Sequence, residues 1–101
     1  MSANEARGEA SLRVGGAEFL LRPSFAALVA AETELGPLFA LVERAAAGGL
    51  ALGEMVGLFW HCLTDRTQVS REALGEAVVA QGLARVTPVL RVLLGQILSG
   101  R

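Results

Sequence analysis

An α+β fold that is mostly α is what this sequence predicts: an N-terminal β-hairpin followed by a bundle of four to five short helices. Three observations carry it. Residues Glu9 to Arg22 alternate in polarity on either side of Gly15-Gly16, a strand period folded at a two-residue turn. From Phe25 onward the apolar residues recur at three- and four-residue spacing, the period of an amphipathic helix. Among them stand Pro23-Ser24, Gly36-Pro37, Ser70, Gly82 and Thr87-Pro88, the residue types that start and stop helices.

Residues 1–8 are polar and unpatterned, so a flexible N-terminus is expected there. Residues 9–101 are expected to form a single domain, with the hairpin over 9–22 and the helical part over 24–98. Closing the hairpin at Gly15-Gly16 pairs Val14 with Ala17, Leu12 with Phe19 and Ala10 with Leu21 on one face. The other face then pairs Arg13 with Glu18 and Glu9 with Arg22, both of opposite charge. A one-residue slip scrambles both faces, which fixes the register. Leu20 falls on the charged face, as a lone surface residue or because that face meets a partner.

Pro23 ends the second strand and Ser24 caps a helix whose apolar side is Phe25, Leu28, Val29 and Leu35. Gly36 stops it, and Pro37 is placed at the first position of a second helix with Leu38, Leu41, Val42 and Ala45 inward and Phe39 beside them. A flexible loop follows over Ala46-Ala47-Gly48-Gly49. The third helix, Leu52 to Leu63, turns Met55, Leu58, Phe59 and Cys62 inward. Ser70 caps a fourth helix, Arg71 to Gln81, buried through Leu74, Ala77 and Val78. After Gly82 and a link over Leu83 to Val86, the last helix is expected to run from Pro88 to Leu98. Its inward residues are Val89, Leu90, Leu93, Leu94 and Ile97.

Composition narrows the function. Hydrophobic residues make up 52% of the 101, charged residues only 19%, and the mean hydropathy is +0.49. So little polar material leaves apolar surface uncovered on a monomer, which implies a protein partner or a homo-oligomer. Nine Arg and no Lys against ten acids give a net charge of -1, without the positive field that grips phosphate, so no nucleic-acid partner is expected. The most membrane-like window, Ala45 to Leu63, is interrupted by glycines, Glu54 and His61, and no membrane span is expected. The polar start is not expected to act as a signal peptide, and the single Cys62 excludes an intrachain disulfide, consistent with a reducing cytoplasm.

No constellation of residues carries chemistry. His61 and Cys62 are adjacent on a helix and point ~100° apart, so they make no nucleophile–base pair. His61 and Asp65, four apart, share a helix face but are too few ligands for zinc. Glu32, Glu34 and Glu43 read as a solvated face, and Gly48 to Gly53 lacks the lysine and spacing of a phosphate loop. The chain is therefore expected to be no enzyme and to need no metal or cofactor. Candidate interface residues are Met55, Phe59, Trp60, Leu90 and Leu94. The helical spacing of Met55 and Phe59 also fits core positions, and Trp60, off the stripe, fits either an interface or a place under the hairpin.

Four stretches are familiar together: Asn4-Glu5-Ala6-Arg7-Gly8-Glu9, Leu21-Arg22-Pro23-Ser24-Phe25-Ala26-Ala27-Leu28, Glu32-Thr33-Glu34-Leu35-Gly36, and the glycine loop before Leu52-Gly53-Glu54-Met55. From Asn4 to Leu98 the chain resembles the small tail-cluster proteins of alphaproteobacterial gene transfer agents and related prophages. That family has been labelled both tail tube protein and tail assembly chaperone. The resemblance implies a non-enzymatic role in tail assembly, in which the chain binds the tape measure protein and keeps it soluble until the tube polymerises. It implies contacts with other tail proteins, in the cytoplasm of the host bacterial cell, or in the virion if the role is structural. The alternatives are a structural tube-associated tail protein and a small helical regulatory or DNA-binding protein. The last lacks a basic helix.

Overall fold

In the computed structural model, which describes residues 9–100, the hairpin takes the register that its polarity and charge pattern dictates. Strand β1 (Ala10–Val14) pairs antiparallel with β2 (Ala17–Leu21), with Leu12 opposite Phe19 and Ala10 opposite Leu21. Gly15 and Gly16 close it at φ of 58° and 86°, left-handed backbone that a two-residue turn requires. Glu9 and Arg22 form the expected ion pair, Oε2 to Nε at 2.7 Å, with Glu9 buried. Arg13 and Glu18 stand opposite but turn to other partners: Arg13 donates to the Gly16 carbonyl and Glu18 accepts from the Ser11 hydroxyl. The flexible terminus expected over residues 1–8 lies outside the described residues, as does Arg101.

Five helices follow: α1 (Phe25–Leu35), α2 (Leu38–Ala46), α3 (Leu52–Cys62), α4 (Arg71–Gln81) and α5 (Leu83–Ser99). The architecture is α+β and mostly α. Ser24 Oγ accepts from Ala27 N and caps α1; Ser70 Oγ accepts from Ala73 N and caps α4. At the corner between α1 and α2 the axes bend by 76°. Gly36 lies there at φ 86°, and Glu32 reaches across to accept from Leu38 N at 3.1 Å. Glu32 thus caps α2 where Pro37, which sits just before the helix, offers no side-chain hydrogen bond.

The core centres on α3, where Met55, Val56, Gly57, Leu58, Phe59 and Cys62 are all buried. Leu12 and Leu21 from the hairpin, Leu41 from α2, Leu74 and Val78 from α4, and Val86 and Leu93 from α5 close around it. The chain leaving α3 runs back along β2. Leu63 bridges Leu21, Arg22 N donates to Cys62 O at 2.7 Å, and Thr64 N donates to Leu20 O at 3.1 Å. This return half-buries Leu20, so the charged face of the hairpin meets the chain's own α3 exit.

Two expectations are corrected. The inward side of α1 is Ala27, Leu28, Ala31 and Leu35, while Phe25 and Val29 point to solvent. Here α1 packs inward through two alanines and two leucines, with Leu35 reaching Gly57 of α3. The last helix begins at Leu83 and runs through Pro88 instead of starting there. Val86, Leu90 and Leu93 form one buried stripe spaced by four and three, and their burial carries the helix across the proline. A proline deprives the carbonyl four residues earlier of its donor; here that is Ala84, which is exposed to water. Thr87 Oγ1 donates to Leu83 O at 2.7 Å in the same turn.

Candidate functional site

Of the residues expected at an interface, Met55, Phe59 and Leu90 are buried in the core, and Trp60 and Leu94 are half-buried against it. Trp60 lies under Arg66, whose guanidinium carbon is 5.7 Å from the ring centroid, a cation–π contact. None of the five stands free on the surface. The exposed apolar side chains are others: Phe25 (84% exposed), Phe39 (68%), Val79 (59%) and, less fully, Leu52, Leu83, Leu98 and Val29.

Two of these frame a groove. Leu52, Gly53 and Val56 of α3 face Glu72, Gly75, Glu76, Val79 and Ala80 of α4 across an open trough of about 540 Å3. The spacings explain it. On α4, positions 72, 76, 79 and 80 share one side of the helix, flanking the Leu74–Val78 stripe that enters the core. On the floor Gly75 carries no side chain; a Cβ there would sit 3.7 Å from Val56 Cγ1, an ordinary contact. The space therefore comes from side chains that are absent, not from helices held apart. This groove escapes the sequence because Val79 on its own is one more exposed apolar residue. Only the neighbouring α3 turns it into a wall.

Beside the buried packing of Leu74 and Val78, a polar clasp also links α3 and α4. Glu34 of α1 accepts from Arg71 of α4 through both carboxylate oxygens, Nη1 to Oε1 at 2.8 Å and Nη2 to Oε2. His61 Nε2 of α3 meets the same Oε1 at 2.8 Å. The clasp needs Gly57: a Cβ there would come within 2.9 Å of Arg71 Nη2 and 3.2 Å of Leu35 Cδ2. Glu34, expected as part of a solvated face, is instead the shared acceptor that ties three helices. His61, expected to face Asp65, faces Glu34, and Asp65 accepts from Thr67 N and Oγ1 in a local turn.

The Arg71 hydrogen bonds first, and His61 second, lower the Glu34 pKa from 4.5 to about 2. The folded pKa lies below the unfolded one, so the stabilisation is fully present above pH 4.5 and is lost as pH falls towards 2. Glu34 is 38% exposed and solvent screens it; Glu34→Gln is therefore expected to cost only about 1 kcal/mol at pH 7. Urea unfolding followed from pH 7 to pH 2 checks this, because the two stability curves must converge at the acid end. Curves that stay parallel would remove Glu34 as the group responsible.

The chemistry on offer elsewhere is slight. Burial pushes the Cys62 thiol up to about 12, so it is not a thiolate at neutral pH. His61 Nδ1 is buried with no hydrogen-bond partner among the described residues. Among the described residues no three His, Cys, Asp or Glu side chains group to hold a metal ion. No single described helix is long and apolar enough to cross a membrane.

Comparison with known proteins places the chain. Residues 7–100 match the family described as phage tail tube protein, GTA-gp10, and the chain belongs to that family of phage and gene transfer agent tail proteins. No curated protein and no solved structure matches it.

Proposed function

We propose that this member of the phage tail family is a non-enzymatic tail assembly chaperone, which binds the tape measure protein in the host cytoplasm and keeps it soluble during assembly. The observation that carries this reading is the open apolar groove between α3 and α4. The groove suits an amphipathic helix of such a partner, since a helix laid into an apolar groove is a recurring mode of recognition. A net charge of -1 with 52% hydrophobic residues suits a surface that masks apolar segments. Co-expression is the test. The two proteins are expected to co-purify, and the tape measure protein to aggregate when this chain is left out. Tape measure protein that stays soluble, with normal tails, ends the proposal.

The family description, a tube protein, favours a second reading in which the chain is a structural component of the tail. A tube wall is built from strands joined into a continuous ring, and the described residues contain one two-stranded sheet. Mass spectrometry of purified particles separates the two: stoichiometric retention supports the structural role, absence supports the chaperone.

A further inference from the structure

The rim of the α3–α4 groove carries information about its occupant. Glu72 and Glu76 lie one turn apart along the α4 edge, beside Val79 and above the bare backbone of Gly75. Most other described acids are engaged. Glu9 pairs with Arg22, Glu34 with Arg71, Glu54 with Arg44, and Glu32 caps α2. Neither Glu72 nor Glu76 forms an ion pair with any described residue. Glu72 lies in the first turn of α4, where a carboxylate complements the helix dipole; Glu76, a turn further in, has no such role.

Gly75 adds a second consideration. It is an interior helical residue with room for a methyl group, and glycine there costs about 1 kcal/mol relative to alanine. Its effect is to leave the floor of the trough between Leu52 and Val79 without a side chain. An apolar floor, two apolar walls and one doubly acidic edge define a complementary shape.

We infer that the groove binds an amphipathic helix of a partner protein whose apolar ridge is flanked by two basic residues one turn apart. A Leu, Met or Phe of that helix enters over Gly75 and Val56 between Leu52 and Val79. The two cations, Arg or Lys spaced by four, meet Glu72 and Glu76. This deepens the groove's role in the proposed chaperone function and rests on that reading for the partner's biology, but its chemistry is testable apart from it.

The probes are two synthetic helices of about 18 residues, sharing one Leu ridge, with Arg at the flanking positions of one and Glu at those of the other. Titrated into the full-length 15N-labelled protein, the Arg helix is expected to shift the amides of Leu52, Val56, Gly75 and Val79. At low salt it is expected to bind roughly tenfold more tightly than the Glu helix, a margin that shrinks as salt rises. The double variant Glu72→Arg/Glu76→Arg should reverse the preference. Gly75→Ala, which puts a methyl group on the trough floor at ordinary contact distance from Val56, should weaken both helices while leaving the circular dichroism spectrum unchanged. Equal affinities, an unreversed preference, shifts centred elsewhere, or groove-dependent self-association instead of peptide binding each overturn the inference. Tape measure solubility measured with the charge-reversed variant keeps the two ideas apart. If the peptide preference fails but solubility still depends on this chain, the inference falls and the chaperone reading stands. If the preference holds but solubility is independent of the chain, the chaperone reading falls alone.

Discussion

Replacing Phe59 by Ala is expected to destabilise the fold by about 3–5 kcal/mol, whereas the same change at Phe25 is expected to stay within about 0.5 kcal/mol. Both phenylalanines lie on apolar stripes that the sequence assigns to the core. Phe59 is fully buried at the centre of α3, and truncating it leaves a cavity lined by neighbours from several elements. Phe25 begins α1 and is 84% exposed, so its ring makes few contacts to lose. A domain of this size has about 5–15 kcal/mol in total, so the Phe59 variant keeps little reserve. Chemical denaturation of the two variants side by side is the measurement. A Phe25 variant as unstable as the Phe59 one would mean that α1 is rotated relative to its place here.

The second large effect is expected at Leu21, where Leu21→Ala should cost about 2–5 kcal/mol. A two-stranded hairpin is marginal in water without something to pack on. Here the packing is done by Leu12 and Leu21, and Leu21 is fully buried where β2 meets the exit of α3. Its loss opens a cavity between the hairpin and the helices, next to the Arg22–Cys62 and Thr64–Leu20 backbone bonds. Hydrogen exchange should show β1 and β2 amides losing protection ahead of those in α5. Uniform loss across the chain, or a cost below about 1 kcal/mol, would indicate that the hairpin is not held by this side chain.

The parts of this protein that were legible in its sequence are those fixed by local chemistry. Gly15-Gly16 forces a tight turn, and the alternation around it allows one register. Ser24 and Ser70 cap the helices they precede, and Gly36 and Gly82 end the helices before them, at φ of 86° and 91°. Met55, Leu58, Phe59 and Cys62 are buried because one helical face can point only one way. Pro88 misled, because its local preference to open a helix was outweighed by the burial of Val86 and Leu90 on either side of it.

What only the tertiary structure decided is which of several apolar faces became surface, and which charges found one another. Periodicity gives α1 an apolar side but not its rotation, which depends on how closely α3 can approach Ala27 and Ala31. Glu34 meets His61 and Arg71, residues 27 and 37 positions away, across a glycine whose missing Cβ leaves them room. The groove likewise belongs to neither helix, since Leu52 and Val79 become its walls only when α3 and α4 lie side by side. Local sequence acts over a turn or two of chain, whereas a surface made from two helices depends on contacts between residues far apart in it.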